Sequence, residues 1–183
     1  MNLEKIIKGC INHKRQAQEE LYNLYKDSLF ALSLKYCCNE AEAEDNLHNA
    51  FIEIFTNIEK FNSTGSFEGW MKRITINKAI NSYKKQFNLV ALKDDYQNTE
   101  IDESEMNLPL DQILKMVQEL PNQYRLVFSL YELDDYSHRE ISVMLEISES
   151  ASKSNLHRAK CILKTKIIAA NSSHTKYSIS NGK

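Results

Sequence analysis

Apolar side chains recur every third or fourth position along most of this chain, the spacing that gives a helix one buried stripe. The clearest case is 43–58. There Ala43, Leu47, Ala50, Phe51, Ile54, Phe55 and Ile58 share a face, while Glu44, Asp45, His48, Asn49, Glu53 and Asn57 take the other. Ahead of it, Leu3, Ile6, Ile7 and Cys10 make a weaker pattern interrupted by Gly9. Residues 15–38 read as one or two helices through Ala17, Leu21, Leu24, Tyr25, Leu29, Phe30, Leu32, Ser33 and Tyr36. Asn39 is placed to cap the next helix, with Glu40, Glu42, Glu44 and Asp45 in its first turns, where the macrodipole favours acids. The run F-N-S-T-G-S at 61–66 is a loop by composition. Ser66 can then cap a helix from Phe67 to about Phe87 that buries Phe67, Trp70, Met71, Ile74 and Ile80.

Periodicity weakens over 88–110 and returns after it. Asp111 is expected to cap a helix carrying Ile113, Leu114 and Val117 that stops at Leu120–Pro121. Another, with Tyr124, Val127, Phe128 and Tyr131, ends near Leu133–Asp135. Two patterns then meet at a short break. The first starts at Ser137, an N-cap with Glu140 as its capping-box partner, and buries Ile141, Met144 and Leu145. Ser148 caps the second, which begins at Glu149 and turns Ala151, Leu156, Ala159, Ile162 and Leu163 inward. Ile147 falls where a helix-turn-helix places its buried hinge residue. Residues 169–183 are Ser/Asn-rich without a core pattern and are expected to form a disordered tail.

The predicted class is therefore all-α, with two small helical domains joined by a flexible acidic linker. Residues 1–87 form the first, 88–110 the linker, and 111–168 a helix-turn-helix four-helix unit. With only four glycines and two prolines in 183 residues, turn chemistry is too sparse for an all-β fold. The four cysteines form no C-x-x-C pair and read as small buried residues in a reducing compartment. No histidine or cysteine spacing suits a metal, and no cofactor is expected. An apolar run long enough for a membrane span and a secretory signal pattern are both missing, so a cytoplasmic location is expected, without membrane insertion.

Charge changes the picture more than composition does. The formal net charge of −2 hides segregation: residues 94–111 carry seven acids and no base, and 69–93 carry six bases and no acid. The 67–87 helix displays Lys72, Arg73, Lys78, Lys84 and Lys85 with Asn77, Asn81 and Tyr83 between them. Cations attract phosphates and interleaved polar or aromatic groups reach bases, which favours nucleic acid over a merely solvated face. The last helix carries Lys153, His157, Arg158, Lys160, Lys164 and Lys166, and no acid follows Glu149. A basic helix behind a short supporting helix has the geometry that enters a major groove.

Three stretches together resemble bacterial RNA polymerase sigma factors of the small extracytoplasmic-function (ECF) group within the sigma-70 family. A-E-D-N-L-H-N-A-F-I-E-I-F at 43–55 is similar to the family's polymerase-binding helix, and F-E-G-W-M-K-R-I-T-I-N-K-A-I-N at 67–81 to its promoter-melting, −10-reading helix. L-P-N-Q-Y-R-L-V-F at 120–128, with E-I-S-V-M-L-E-I-S-E-S-A-S-K-S-N-L-H-R-A-K at 140–160, is similar to its −35-reading domain. The resemblance implies a non-enzymatic specificity subunit that binds core RNA polymerase and promoter DNA, duplex and single-stranded, and is held by a cognate anti-sigma protein, with no small-molecule substrate. It assigns Glu44, Asp45, Asn49 and Glu53 to the polymerase. Asn62, Ser63 and Thr64 would hold an unstacked −10 base, with Asn77 near that pocket and Lys72, Arg73, Lys78 and Lys84 on the strand. Lys153, Ser154, Asn155, His157 and Arg158 would meet the −35 element. Trp70 matches a family position but reads as core. The acidic linker would thread near the template strand by analogy.

There are departures from the family pattern. Glu146 and Ser150 stand where Gly is frequent, Ser152 where Val is frequent, and Asn155 where Arg or Gln is frequent. The alternative is a stand-alone helix-turn-helix regulator, which needs no basic melting helix and usually needs a dimer interface.

Overall fold

A computed structural model describes residues 2–62, 65–86 and 108–180, with 85–86 and 172–180 described as backbone alone. The chain splits into two compact units, Met1–Asn88 and Leu89–Lys183. The expected linker lies outside the described residues up to 107.

The first unit packs α1 (Leu3–Ile11), α2 (Arg15–Tyr36), α3 (Glu40–Asn57) and α4 (Phe67–Gln86), with a 3-10 turn at Ile58–Lys60. Gly9 does not interrupt α1. It lets α2 approach, since a Cβ there would sit 2.5 Å from that of Ala17. Residues 15–36 form one unbroken helix. Asn39 caps α3 by accepting from the Glu42 N–H at 2.8 Å, and Ser66 caps α4 by accepting from the Gly69 N–H at 3.3 Å. The core joins Leu21, Leu29, Leu32, Phe51, Ile54, Met71 and Ile80. In α4 the buried stripe is Phe67, Met71, Thr75, Ile76, Ala79 and Ile80, while Trp70 and Ile74 are only partly buried. Trp70 stacks on Phe67 at 5.5 Å and leans on Phe61 at 5.7 Å. Thr75 is buried with its hydroxyl donating to the Met71 carbonyl at 3.0 Å, and its own carbonyl serves a buried amide. Asn46 Nδ2 donates to Ser33 Oγ (3.0 Å) and to the Thr75 carbonyl (3.2 Å), tying α2, α3 and α4 together.

The second unit contains α5 (Leu110–Gln118), α6 (Asn122–Phe128) continuing into a π-helical turn at Ser129–Leu133, α7 (His138–Leu145) and α8 (Glu149–Ser180). It begins earlier than residue 111. Leu108 packs against the cluster of Met116, Val117, Leu120, Tyr124, Ala159 and Leu163, and Pro109 rather than Asp111 occupies the N-cap of α5. Nor does α8 stop at 168. Ile167 and Ala170 pack on the same cluster and the helix backbone runs to Ser180, where a disordered tail was expected. Once Ala170, beyond that boundary, finds a core contact, each added helical hydrogen bond favours continuation.

Between α7 and α8 the turn follows its caps. Ser137 and Glu140 form the full capping box. Ser148 Oγ accepts from the Ala151 N–H at 3.1 Å. Glu146 ends α7 at φ 58°, ψ 43°, the left-handed conformation that glycine adopts without strain. Ile147, expected as a buried hinge, is only half-buried. Glu146→Gly is expected to stabilise this unit by about 0.5–1 kcal/mol, read as a higher melting temperature; an unchanged or lower one would show that Glu146 side-chain contacts outweigh the strain.

Candidate nucleic-acid interface

Three surfaces carry the residues expected to act. On α3, Glu44, Asp45 and Asn49 are exposed, and His48 stands with them. Ile52, on the same face one turn beyond His48 and Asn49, is 65% exposed. Neither had been assigned a role, although the spacing 45, 48/49, 52 shows that both line the acidic face. Residues 40–57 contain no Lys or Arg, so the formal charges α3 brings to this face are all acidic, with one apolar side chain among acidic and neutral polar neighbours.

Glu53 is different. Its carboxylate pairs with Lys78 of α4 at 2.9 Å and accepts from Asn57 Nδ2 at 2.7 Å. The hydrogen bond and charge of Lys78 hold its pKa below the usual carboxylate value. A residue expected to face polymerase and one expected to face DNA therefore hold each other. Glu53→Gln should change stability by no more than about 1 kcal/mol, because the pair is half-exposed and screened by solvent. It should raise the affinity of the first unit's surface for a single-stranded oligonucleotide about twofold to fivefold at low salt. Anisotropy titration checks this; no gain would show that Lys78 does not reach the strand.

On α4, Arg73, Asn77 and Asn81 form an exposed row four residues apart. Lys72 is partly buried and pairs with Glu68 at 2.7 Å, and Lys84 is partly buried. Asn62 is exposed at the start of the loop; Ser63 and Thr64 lie outside the described residues. Phe61 beside it belongs to the aromatic group of Phe67 and Trp70, so the loop is rooted on packed rings at this end.

On α8 the expected contact residues separate. Lys153, Ser154 and His157 are exposed, with Lys160 next to them. Lys160 also reaches Glu132 at 2.7 Å. Asn155 is 6% exposed and faces inward with Leu156 and Ala159, so the expectation that it reads DNA is corrected: helix phase places position 155 near the core stripe. Arg158 is half-buried and its Nη1 donates to the Tyr124 hydroxyl at 3.3 Å, which ties it to α6.

Ser152 is fully buried, yet its hydroxyl is satisfied. His138 Nδ1 lies 2.9 Å from its Oγ, and the same imidazole stacks on Tyr131 at 4.4 Å and 20°. Burial, reinforced by the Lys153 charge and opposed by Glu149, holds the His138 pKa below its ordinary value of 6.5. The unfolded chain then takes up the proton first as pH falls. Stability of this unit is full above about pH 6.5 and declines below it, toward the lowered folded value. Thermal melts from about pH 7.5 to about pH 5.5 should show that decline, and His138→Gln should flatten it; parallel curves for both proteins would rule it out.

Among the described residues, no group of three or more His, Cys, Asp or Glu is placed to hold a metal, and no helix is long and apolar enough to cross a membrane. What the molecule offers is helical surface of two signs.

Known proteins are similar to this chain. The family model for sigma-70 region 2 matches residues 21–87, and that for sigma-70, region 4 matches residues 110–160. The chain is 26% identical over 182 residues to the ECF RNA polymerase sigma factor SigW of Bacillus subtilis, covering 91% of this chain and 97% of that protein. It is 26% identical over 152 residues to the ECF RNA polymerase sigma factor SigM of the same organism, covering 80% and 92%. Among solved structures, the sigma factor RpoE of Bartonella quintana, in complex with the anti-sigma factor NepR, has a similar fold. Its TM-score is 0.52 at 15% identity, covering 82% of this chain and 96% of that one.

Proposed function

The chain belongs to the extracytoplasmic-function group of the sigma-70 family of RNA polymerase sigma factors, and from that premise we propose how its surfaces divide the work of initiation. A sigma factor binds core polymerase and directs it to promoters. Here the acidic face of α3, with Glu44, Asp45, His48 and Asn49 exposed, meets a basic surface of the core. Opposite potentials steer the encounter and fix its register. The row Arg73, Asn77, Asn81 on α4, with Lys72, Lys78, Lys84 and the loop from Asn62 through Ser63 and Thr64, takes the single strand as the −10 element opens. Unstacking a base costs a few kcal/mol, and phosphate contacts with hydrogen bonding to the exposed base offset it.

The second unit reads duplex. Its helix-turn-helix lays α8 against DNA with Lys153, Ser154 and His157 outward, Ser154 and His157 toward base edges and Lys153 toward phosphate or guanine. The observation that carries this is the division of one helix into a core side (Ser152, Leu156, Ala159, Leu163) and a basic, exposed side. Arg158 supports that surface from beneath through Tyr124. An anti-sigma protein is the partner expected to cover such surfaces in the resting cell.

The test is reconstitution. The purified chain should coelute with core polymerase and support run-off transcription from a subset of a genomic promoter library. Tight duplex binding without core association would return the stand-alone helix-turn-helix regulator.

A further inference from the structure

The first turn of the recognition helix buries a hydroxyl, and the structure shows the residue that satisfies it. Position 152 faces the interior, where an apolar side chain would need no partner. A serine there brings a hydroxyl that must be hydrogen-bonded or cost stability. His138, the first residue of α7, supplies the partner at 2.9 Å. Its ring is in turn held flat against Tyr131, which the π-helical turn presents. One imidazole therefore joins three elements: the π-helical turn that follows α6, the start of α7 and the first turn of α8. An apolar contact at this place would be tolerant of rotation, whereas a hydrogen bond at fixed distance to a stacked ring is directional. Lys153 and Ser154 follow Ser152 directly and are exposed, so any rotation of Ser152 about the α8 axis carries them with it.

We propose that His138 is a positioning residue for promoter recognition: clamped between Tyr131 and Ser152, it sets the rotation of the first turns of α8 and so the placement of Lys153 and Ser154 on duplex DNA. This rests on the assignment of α8 to −35 recognition. The pair 138/152 fixes this place by a polar contact, where an apolar residue at 152 could act by packing alone. A directional contact confers sequence discrimination, and little affinity for DNA in general.

The experiment uses the full chain assembled with core polymerase. The probe is a duplex that the wild-type holoenzyme selects from a randomised −35 pool, and the reference is an unrelated duplex of equal length. His138→Ala should lower the ratio of selected to reference affinity about fivefold to twentyfold while reference binding stays within about twofold. His138→Asn, which keeps a nitrogen or oxygen near the Nδ1 position, should retain most of the ratio. Ser152→Val placed in the His138→Ala background should recover it, because the buried valine methyls hold the first turn of α8 by packing and leave no hydroxyl unpaired. If His138→Ala proves too unstable to assemble, Ser152→Ala reads the same contact from the other side and should lower the ratio alike. An unchanged ratio in a folded single variant, or a double variant no better than His138→Ala, would overturn the proposal. A wild-type holoenzyme that fails to form, or that selects no sequence, would instead overturn the functional reading beneath it.

Discussion

Replacing Arg125 with methionine should cost the second unit about 3–4 kcal/mol and remove its cooperative unfolding transition at physiological temperature, while the first unit stays folded. Arg125 is 4% exposed. Its Nη1 donates to the carbonyls of Gln118 and Leu120 at 2.9 and 3.0 Å, and its Nη2 donates to Asn122 Oδ1 at 2.6 Å. These carbonyls lie where α5 ends and the chain turns through Pro121, a residue with no N–H to offer them. A planar fork of donors is the side chain that can serve several acceptors at once. Methionine fills the volume but leaves the acceptors unpaired in the interior. Arg125→Lys keeps the charge and loses the fork, and should cost about 1–2 kcal/mol. Calorimetry of the full chain, with hydrogen exchange to assign the lost transition to residues 108–171, checks both. A melting curve for the methionine variant within about 1 kcal/mol of wild type would mean that water serves those carbonyls equally well.

Ile52→Lys should weaken binding to core polymerase about a hundredfold, close to 3 kcal/mol, without changing thermal stability by more than about 0.5 kcal/mol. Ile52 is 65% exposed, so the folded chain gains little from its burial. It sits amid Asp45, His48 and Asn49, an apolar centre with a polar rim, which is the anatomy of an energetic anchor. A lysine there removes the apolar contact and sets an ammonium against a basic partner, so both terms act in the same direction. Ile52→Leu should bind within about threefold of wild type, since volume and polarity are kept. Competition for core against a fixed reference sigma factor measures both. Undiminished binding by the lysine variant would move the docking surface off this face of α3.

Helix starts were readable in the chain because capping acts within one turn. Asn39, Ser66, Ser137 and Ser148 each cap the helix expected, since their oxygens reach N–H groups two or three residues away whatever packs around them. The overall class followed from periodicity for the same reason. The limits of the second unit did not follow. Leu108 and Ala170 owe their order to the shared cluster around Tyr124 and Ala159, whose members lie far apart in sequence.

For the candidate site, composition and resemblance pointed to particular helices, and the structure sorted the residues on them by exposure. Lys153, Ser154 and His157 face out; Asn155 faces in and Arg158 leans on Tyr124. Positions 155 and 158 sit at the edges of the basic stripe, where a rotation of one helix by a few tens of degrees decides between solvent and core. No periodicity rule contains that angle, because it is set by the neighbouring helices.

By itself, then, the sequence determined much of what depends on separations of a turn or less: the caps at Asn39, Ser66, Ser137 and Ser148 and the sign of charge each helix bears, though not the start of α5 or the length of α8. The tertiary structure alone decided the pairings across helices: Asn46 with Ser33 and Thr75, Glu53 with Lys78, Arg158 with Tyr124, and His138 with Ser152. Those contacts span 13 to 34 residues, and a hydrogen bond is satisfied only over a few tenths of an ångström and a narrow angle. Such tolerances are met by how helices dock, and docking is settled by all their apolar faces at once.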